Sequence, residues 1–266
     1  MHSRPGSFIW YELLTTDPDA AAAFYRAVVG WSAQDCGQPG FDYRYFLAAD
    51  GSAVAGHAAL PAVAAEAGMR PAWLGYIGVD DVDSVVDAVA AAGGSVQMAA
   101  MDVEHVGRIA MVTDPLGAPF YVMRGGVDQP GAAFDRTLPG HCHWNELATL
   151  DQQAALDFYG AQFGWTKGES MPMGEIGDYQ FIEHGGRTIG AIMTRPPAGP
   201  PPSWTFYFGV PDIDAAAVAI NDNGGAIMYG PAEIPGGGFI IVASDPQGAA
   251  FGLVAPRNPV SPAQRS

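Results

Sequence analysis

Two cysteines, Cys36 and Cys142, are the only thiols in 266 residues. Neither a disulfide framework nor a zinc knuckle can be built from two. So low a count fits a reducing compartment. Cations are also scarce: 12 Lys and Arg stand against 28 Asp and Glu, for a net charge of −16. Such a chain repels a nucleic-acid backbone or an anionic membrane surface, so neither is an expected partner. No apolar run reaches the roughly 18 residues that span a bilayer. The opening "MHSRPGSFIWYE" has no apolar signal core, and a cytoplasmic location is expected. There is no GxxxxGK phosphate loop, and the Gly-rich "IPGGGF" (Ile234 to Phe239) contains no lysine. There is no GxSxG nucleophile elbow.

What is present begins with apolar content. Hydrophobic residues make up 48% of the chain and charged residues 15%, enough for a substantial core. The acidity has two readings, solubility or a groove that attracts a cationic ligand.

The chain then repeats itself. "FIWYELLTTDPDAAAAFYRAVVGW" (Phe8 to Trp31) returns as "CHWNELATLDQQAALDFYGAQFGW" (Cys142 to Trp165). Trp10 and Trp144, Glu12 and Glu146, Tyr25 and Tyr159, and Gly56 and Gly190 share one offset. Three residues are then lost, and Trp73 pairs with Trp204, Tyr76 with Tyr207, and "DPLGAPF" (Asp114 to Phe120) with "DPQGAAF" (Asp245 to Phe251). This is a tandem duplication. The domains are expected at 1–127 and 141–266, joined by a Gly/Pro-rich linker over 128–140.

Each copy divides again. "FIWYELL" reads as a strand. "TTDPDAAAAFYRAVVG" reads as a helix capped by Asp17, with Pro18 in its first turn and Gly30 at its end. "YRYFLAAD" and "AVAGHAAL" read as strands, with a third placed near Gly37 to Gly40. "WLGYIGV" is a strand, and Val82, Val85, Val86 and Val89 mark one buried face of a following helix. Two more strands meet at the turn Asp114 to Gly117. The expected fold is α+β: four βαβββ units in two domains.

At this point the chain resembles the vicinal-oxygen-chelate superfamily, which includes glyoxalase I, bleomycin-resistance proteins and extradiol dioxygenases. "AFYRAVVGW" and "DFYGAQFGW", each followed by a DPxG turn, carry the resemblance over residues 8 to 255. It implies that paired βαβββ units form a curved mixed sheet around a cavity, once per copy. It implies a small-molecule ligand, and a lyase or oxidoreductase of the glyoxalase or dioxygenase type. It also implies a divalent metal held by His and Glu. The family's ligand positions fall here on Trp10, Leu74, Tyr121 and a place near Gly56 or His57. In the second copy they fall on Trp144, Thr205, Gly252 and a place near Gly190 or Ala191. The conventional metal site is therefore not supported, and the cofactor is left open. Nothing in a four-unit chain requires dimerisation, so a monomer and a homodimer are both open.

Strand alternation offers another route to the cavity. If Trp10 and Trp144 face inward, so do Glu12 and Glu146, and Tyr76 and Tyr207 follow Leu74 and Thr205. A buried carboxylate needs a hydrogen-bonding or cationic partner, or it takes up a proton. Glu12 and Glu146 are thus the candidate catalytic acid/base groups, against a purely structural role bonded to backbone or tyrosine. Trp10, His57, Tyr76, Arg108, Tyr121, Trp144 and Tyr207 are the candidate substrate-binding residues. Arg108 would clamp a carboxylate or form a surface ion pair. His141 and His143 would share one strand face or lie at the surface beside the linker. His184 is expected to be exposed in a hairpin, and Trp73 and Trp204 to pack in the core. One reading is an enzyme acting on a small metabolite. The alternative is non-catalytic sequestration of a cationic or aromatic compound.

Overall fold

The computed structural model describes residues 4–38, 42–126 and 131–256. The expected domain boundary, the start of the linker and part of the Gly37 to Gly40 stretch lie outside these residues.

Four βαβββ units follow one another. The first is β1 (Phe8–Thr15), α1 (Pro18–Val28), β2 (Ser32–Asp35), β3 (Tyr43–Leu47) and β4 (Ala53–Ala59). A short α2 (Ala62–Glu66) leads to β5 (Ala72–Gly78), α3 (Val82–Ala91), β6 (Ser95–Val103), β7 (Gly107–Thr113) and β8 (Pro119–Gly125). The second copy gives β9 (Cys142–Thr149), α4 (Gln152–Phe163), β10 (Thr166–Pro172), β11 (Asp178–His184) and β12 (Arg187–Thr194). It ends with β13 (Ser203–Gly209), α5 (Ile213–Asp222), β14 (Ala226–Ile234), β15 (Gly238–Ser244) and β16 (Ala250–Ala255). The strands form two eight-stranded mixed sheets, in the orders β2-β3-β4-β1-β5-β8-β7-β6 and β10-β11-β12-β9-β13-β16-β15-β14. The α+β reading of the sequence is the fold observed.

Local chemistry sets the helices. Asp17, Asp81, Asp151 and Asp212 are N-caps of α1, α3, α4 and α5, each accepting a backbone N–H of the first turn. The third strand of the first unit is not near Gly37 but at Ser32–Asp35. All four of its residues are exposed, so no apolar alternation marks it in the sequence.

Contacts divide the chain into two compact units. One is built from described residues within Met1–Glu12, Trp73–Phe134 and Trp144–Phe206. The other is built from those within Leu13–Ala72, Asp135–His143 and Tyr207–Ser266. Each unit therefore takes segments from both sequence copies.

The family motifs supply the bonds that hold each unit. In the first, the Tyr159 hydroxyl donates to Asp114 Oδ2 at 3.2 Å, and Trp165 Nε1 donates to the Gly6 carbonyl at 2.7 Å. In the second, Tyr25 donates to Asp245 Oδ2 at 3.2 Å, and Trp31 Nε1 to the Gly140 carbonyl at 2.8 Å. The helix that ends "FY…GW" in one copy is thus tied to the DPxG turn of the other. Asp114 also accepts the amides of Leu116 and Ala118, both at 2.9 Å, so the same carboxylate holds its own turn. Burial pushes the Asp114 and Asp245 carboxyls up, against the pull of these amides. The surroundings are aromatic: Tyr159 stacks on Trp165 at 5.0 Å and meets Trp204 edge-on at 5.4 Å. Trp73 and Trp204 are buried, as core residues should be.

A candidate acid/base site on the sheet face

On β1, Tyr11 and Leu13 are fully buried on the helix side. Alternation turns Trp10 and Glu12 to the opposite face. Glu12 is 7% exposed, and its Oε2 accepts the Tyr76 hydroxyl at 3.0 Å. Tyr76 is the strand partner of Tyr121 across the parallel β5–β8 pair. Their rings lie 4.2 Å apart and 8° from parallel, which places the two phenols side by side. The phenol of Tyr121 is pushed well above its usual range, chiefly by burial and then by the charge of Glu12. Glu12, Tyr76 and Tyr121 thus form one buried carboxylate–phenol cluster.

Methionines continue that face. Register pairs Met111 with Tyr121, Ile109 with Met123, and Met98 with Met111. Antiparallel partners share a face, so the cluster borders a surface of flexible, polarisable thioethers. Sequence reasoning missed these residues; for Met98 the bulges of β6 break the alternation.

The second copy arranges the same carboxylate differently. Glu146 is half-buried and accepts the Tyr179 hydroxyl on Oε2 at 2.6 Å. The Tyr179 oxygen in turn accepts Trp144 Nε1–H at 2.7 Å. The Trp144 and Tyr179 rings are 8° from parallel, and Phe181 stands perpendicular to both at 5.5 and 5.8 Å. Trp144, Tyr179 and Phe181 are all half-buried, giving an aromatic platform with an acidic edge. Tyr179 and Phe181 were also missed; the signal available was the period-2 pair Tyr179/Phe181 on a strand facing β12.

The remaining candidates lie elsewhere. Tyr207 is buried against Gly252, whose added Cβ would sit 2.4 Å from the ring. Arg108 makes a two-pronged bond to Asp83, 2.7 Å on each arm, and a third contact to Asp102 at 3.2 Å. It is committed to a surface ion-pair group. His57 is completely buried and stacks on Phe46 at 4.1 Å, under Tyr25 and Trp31 of the helix side. Its burial and the nearby Arg44 lower its pKa to about 4.

Of the two histidines near the linker, His141 is buried and His143 is half-buried. His141 is 1% exposed with Nε2 3.4 Å from Asp50. His143 contacts the Leu138 carbonyl at 2.8 Å, and its ring covers Gly209. His184 is half-buried rather than exposed, because its ring lies against Gly6. A cavity of about 20 Å³ between Leu156, Tyr159, Trp165 and Ile182 has room for one water. It lies on the helix side, away from both glutamates.

The metal positions can now be tested. Gly56, not His57, shares the face of Tyr43 and Tyr45, because Tyr45 is its strand partner and the Tyr43 ring covers it. Ala191 pairs with Glu146 in the same way. Trp10, Leu74, Gly56 and Tyr121 provide no carboxylate and no imidazole, and the second copy's Trp144, Thr205, Ala191 and Gly252 provide none either. Among the described residues no cluster of three or more His, Cys, Asp or Glu is placed to hold a metal ion. These residues do not fit a chelated divalent ion.

Comparison with known proteins agrees with the fold. The family model "Glyoxalase/Bleomycin resistance protein/Dioxygenase superfamily" matches residues 7–121 and again 139–253. A Mycobacterium tuberculosis protein provisionally named glyoxylase CFP32 is 40% identical over 95% of this chain and 96% of its own. The anthracycline biosynthesis protein DnrV of Streptomyces peucetius is 33% identical over 94% of this chain and 93% of its own. The Mn(II)-bound glyoxalase from Novosphingobium aromaticivorans superposes with a TM-score of 0.61 at 19% identity, covering 95% of this chain and 83% of that one. A 2,2',3-trihydroxybiphenyl 1,2-dioxygenase from Sphingomonas wittichii gives 0.63 at 13% identity, covering 96% and 91%. Among the described residues no helix is long and apolar enough to cross a membrane.

Proposed function

The chain belongs to the glyoxalase/bleomycin resistance protein/dioxygenase superfamily, and we propose that it acts on a small metabolite at the open face of its first sheet, with Glu12 as general acid/base. The observation that carries this reading is the buried bond from Tyr76 to Glu12 beside Tyr121. A carboxylate shielded from water and bonded by the Tyr76 phenol is poised to exchange a proton with a bound carbon acid. The relative named as a glyoxylase supports a small carbonyl compound as the substrate class. No step is routed through a metal, because the residues at the family's ligand positions do not fit one. The test is solvent-deuterium exchange into a panel of 2-hydroxy ketones and 1,2-dicarbonyl compounds, followed by NMR. Wild type should exchange an α-proton of at least one panel member. Glu12→Gln should slow this by about 100-fold or more, as loss of a general base does. Unchanged exchange in Glu12→Gln sinks the assignment.

A second reading is favoured by the platform of the other copy. Half-buried Trp144, Tyr179 and Phe181 with Glu146 at their edge suit a flat aromatic ring carrying positive charge. The anthracycline biosynthesis relative supports a polycyclic aromatic as that ligand. In this reading the protein binds without turnover. Doxorubicin titrated into the protein would be quenched on binding, and Trp144→Leu or Glu146→Gln would weaken it while Glu12→Gln would not. Equal affinity for all four proteins removes this reading.

A further inference from the structure

We infer that the Tyr76–Tyr121 phenol pair is an oxyanion site standing where the family places a metal, and that the substrates it takes are small carbonyl compounds whose enolate oxygen it holds. The inference rests on the assignment of Glu12 as the base and adds the group that receives the charge.

Position supports it first. Tyr121 stands four residues after Gly117 of the DPxG turn, where the resemblance puts a ligating glutamate. Its strand partner Tyr76 already bonds the base. Burial supports it next. Tyr76, Tyr121 and Glu12 are 5%, 6% and 7% exposed, and donors in such dry surroundings stabilise developing charge far better than they do in water. The Tyr121 phenol, held protonated by its burial, is a donor rather than a base. The second copy supplies a contrast. There Gly252 replaces Tyr121, and the Tyr207 ring lies over the glycine. The phenol pair belongs to the first copy alone.

The proton and charge balance without a cofactor. Glu12 takes the α-proton, so a C–H bond breaks and a carboxyl O–H forms. The C–H electron pair becomes the enolate double bond, and the carbonyl π pair moves to oxygen. Negative charge leaves the carboxylate and appears on the substrate. Tyr76, whose acceptor has just been neutralised, turns its hydroxyl to that oxygen beside the hydroxyl of Tyr121. Return of the proton from Glu12 to carbon completes an exchange or isomerisation with no net oxidation.

The probe is 4-nitrophenol, whose phenolate absorbs visible light and mimics an enolate oxygen. Glu12→Gln imitates the protonated carboxyl and should bind the phenolate about tenfold or more tighter than wild type. Adding Tyr121→Phe to that variant should lose about tenfold or more, the usual order for removing one oxyanion donor. Chelation with EDTA should change neither figure. Equal phenolate affinity with and without Tyr121→Phe overturns the inference, and so does binding that needs added Mn²⁺ or Zn²⁺. If circular dichroism shows that Tyr121→Phe does not fold, Tyr76→Phe in the same background carries the same expectation. Tyrosine-dependent phenolate binding together with unaltered deuterium exchange in Glu12→Gln would remove Glu12 as base and leave the oxyanion site standing. Exchange lost in Glu12→Gln without tyrosine-dependent binding would do the reverse.

Discussion

The Tyr11 hydroxyl donates to Asn145 Oδ1 at 2.8 Å, and these two residues hold the same position in the two sequence copies. The repeat reads "WYE" in one copy and "WNE" in the other, and the phenol and the amide oxygen form one donor–acceptor pair between them. Asn145 Nδ2 also donates to the Ile189 carbonyl at 2.6 Å, so the amide is oriented from both sides. Tyr11→Phe should lower the unfolding free energy by about 1–2 kcal/mol, the cost of one buried hydrogen bond. Urea denaturation measures it; a loss below a few tenths would contradict the structural role.

His57 gives a pH dependence of definite sign. Its folded pKa is about 4, below the ordinary 6.5. The unfolded chain therefore binds its proton first as pH falls. Stability contributed by neutral His57 is full above about 6.5 and is lost as pH drops towards 4, with a total of about 3 kcal/mol. Arg44, Asp42 and Asp19 surround it and modulate the value. Denaturation of wild type and His57→Gln between pH 7 and 4 should give curves that converge as the pH falls. Parallel curves would show that folding does not move the pKa of the ring.

Two glycines at the same repeat offset should respond unequally to alanine. A Cβ on Gly190 would lie 1.9 Å from the Asn145 carbonyl oxygen, which is backbone and cannot yield. Gly190→Ala should cost about 3 kcal/mol or more, or prevent folding. A Cβ on Gly56 would meet the end of the Tyr43 side chain, Oη at 1.9 Å, which can swing aside. Gly56→Ala should cost about 1 kcal/mol or less. Thermal melts of the two variants decide it.

Arg108 serves as a control for the candidate site. Its guanidinium is held by Asp83 and Asp102 on the surface. Ion pairs of this exposed kind contribute little. Arg108→Ala should leave melting temperature and ligand affinity close to wild type. A large loss of binding would return Arg108 to the site.

Much of the fold was legible because it repeats. The duplicated helix and DPxG turn fix the units, and alternation along "FIWYELL" and "CHWNELA" placed Trp10, Glu12, Trp144 and Glu146 on one face. The phenol partners were less legible. Glu12 bonds Tyr76 from the following unit, whereas Glu146 bonds Tyr179 from its own, so equivalent strands carry different neighbours. Register also misleads. Each copy leaves one residue of this hairpin unpaired, Val54 in the first and Ile189 in the second, which is one place later than the repeat numbering puts it. A one-residue slip exchanges the faces of a strand. Gly56 therefore lies on the open face and Gly190 on the helix side, although their numbers match. The same slip sends His57 into the core instead of the site.

The exchanged bonds, Tyr25 to Asp245 and Tyr159 to Asp114, belong to compact units that each draw on both halves of the chain. Neither half of the chain contains a complete compact unit. A gene cut within 127–130 should therefore yield fragments that are poorly soluble when expressed singly and recover together when co-expressed. The peptide that joins them raises their local concentration, while the halves also recognise each other through the bonds of Tyr25, Tyr159, Trp31, Trp165 and Tyr11.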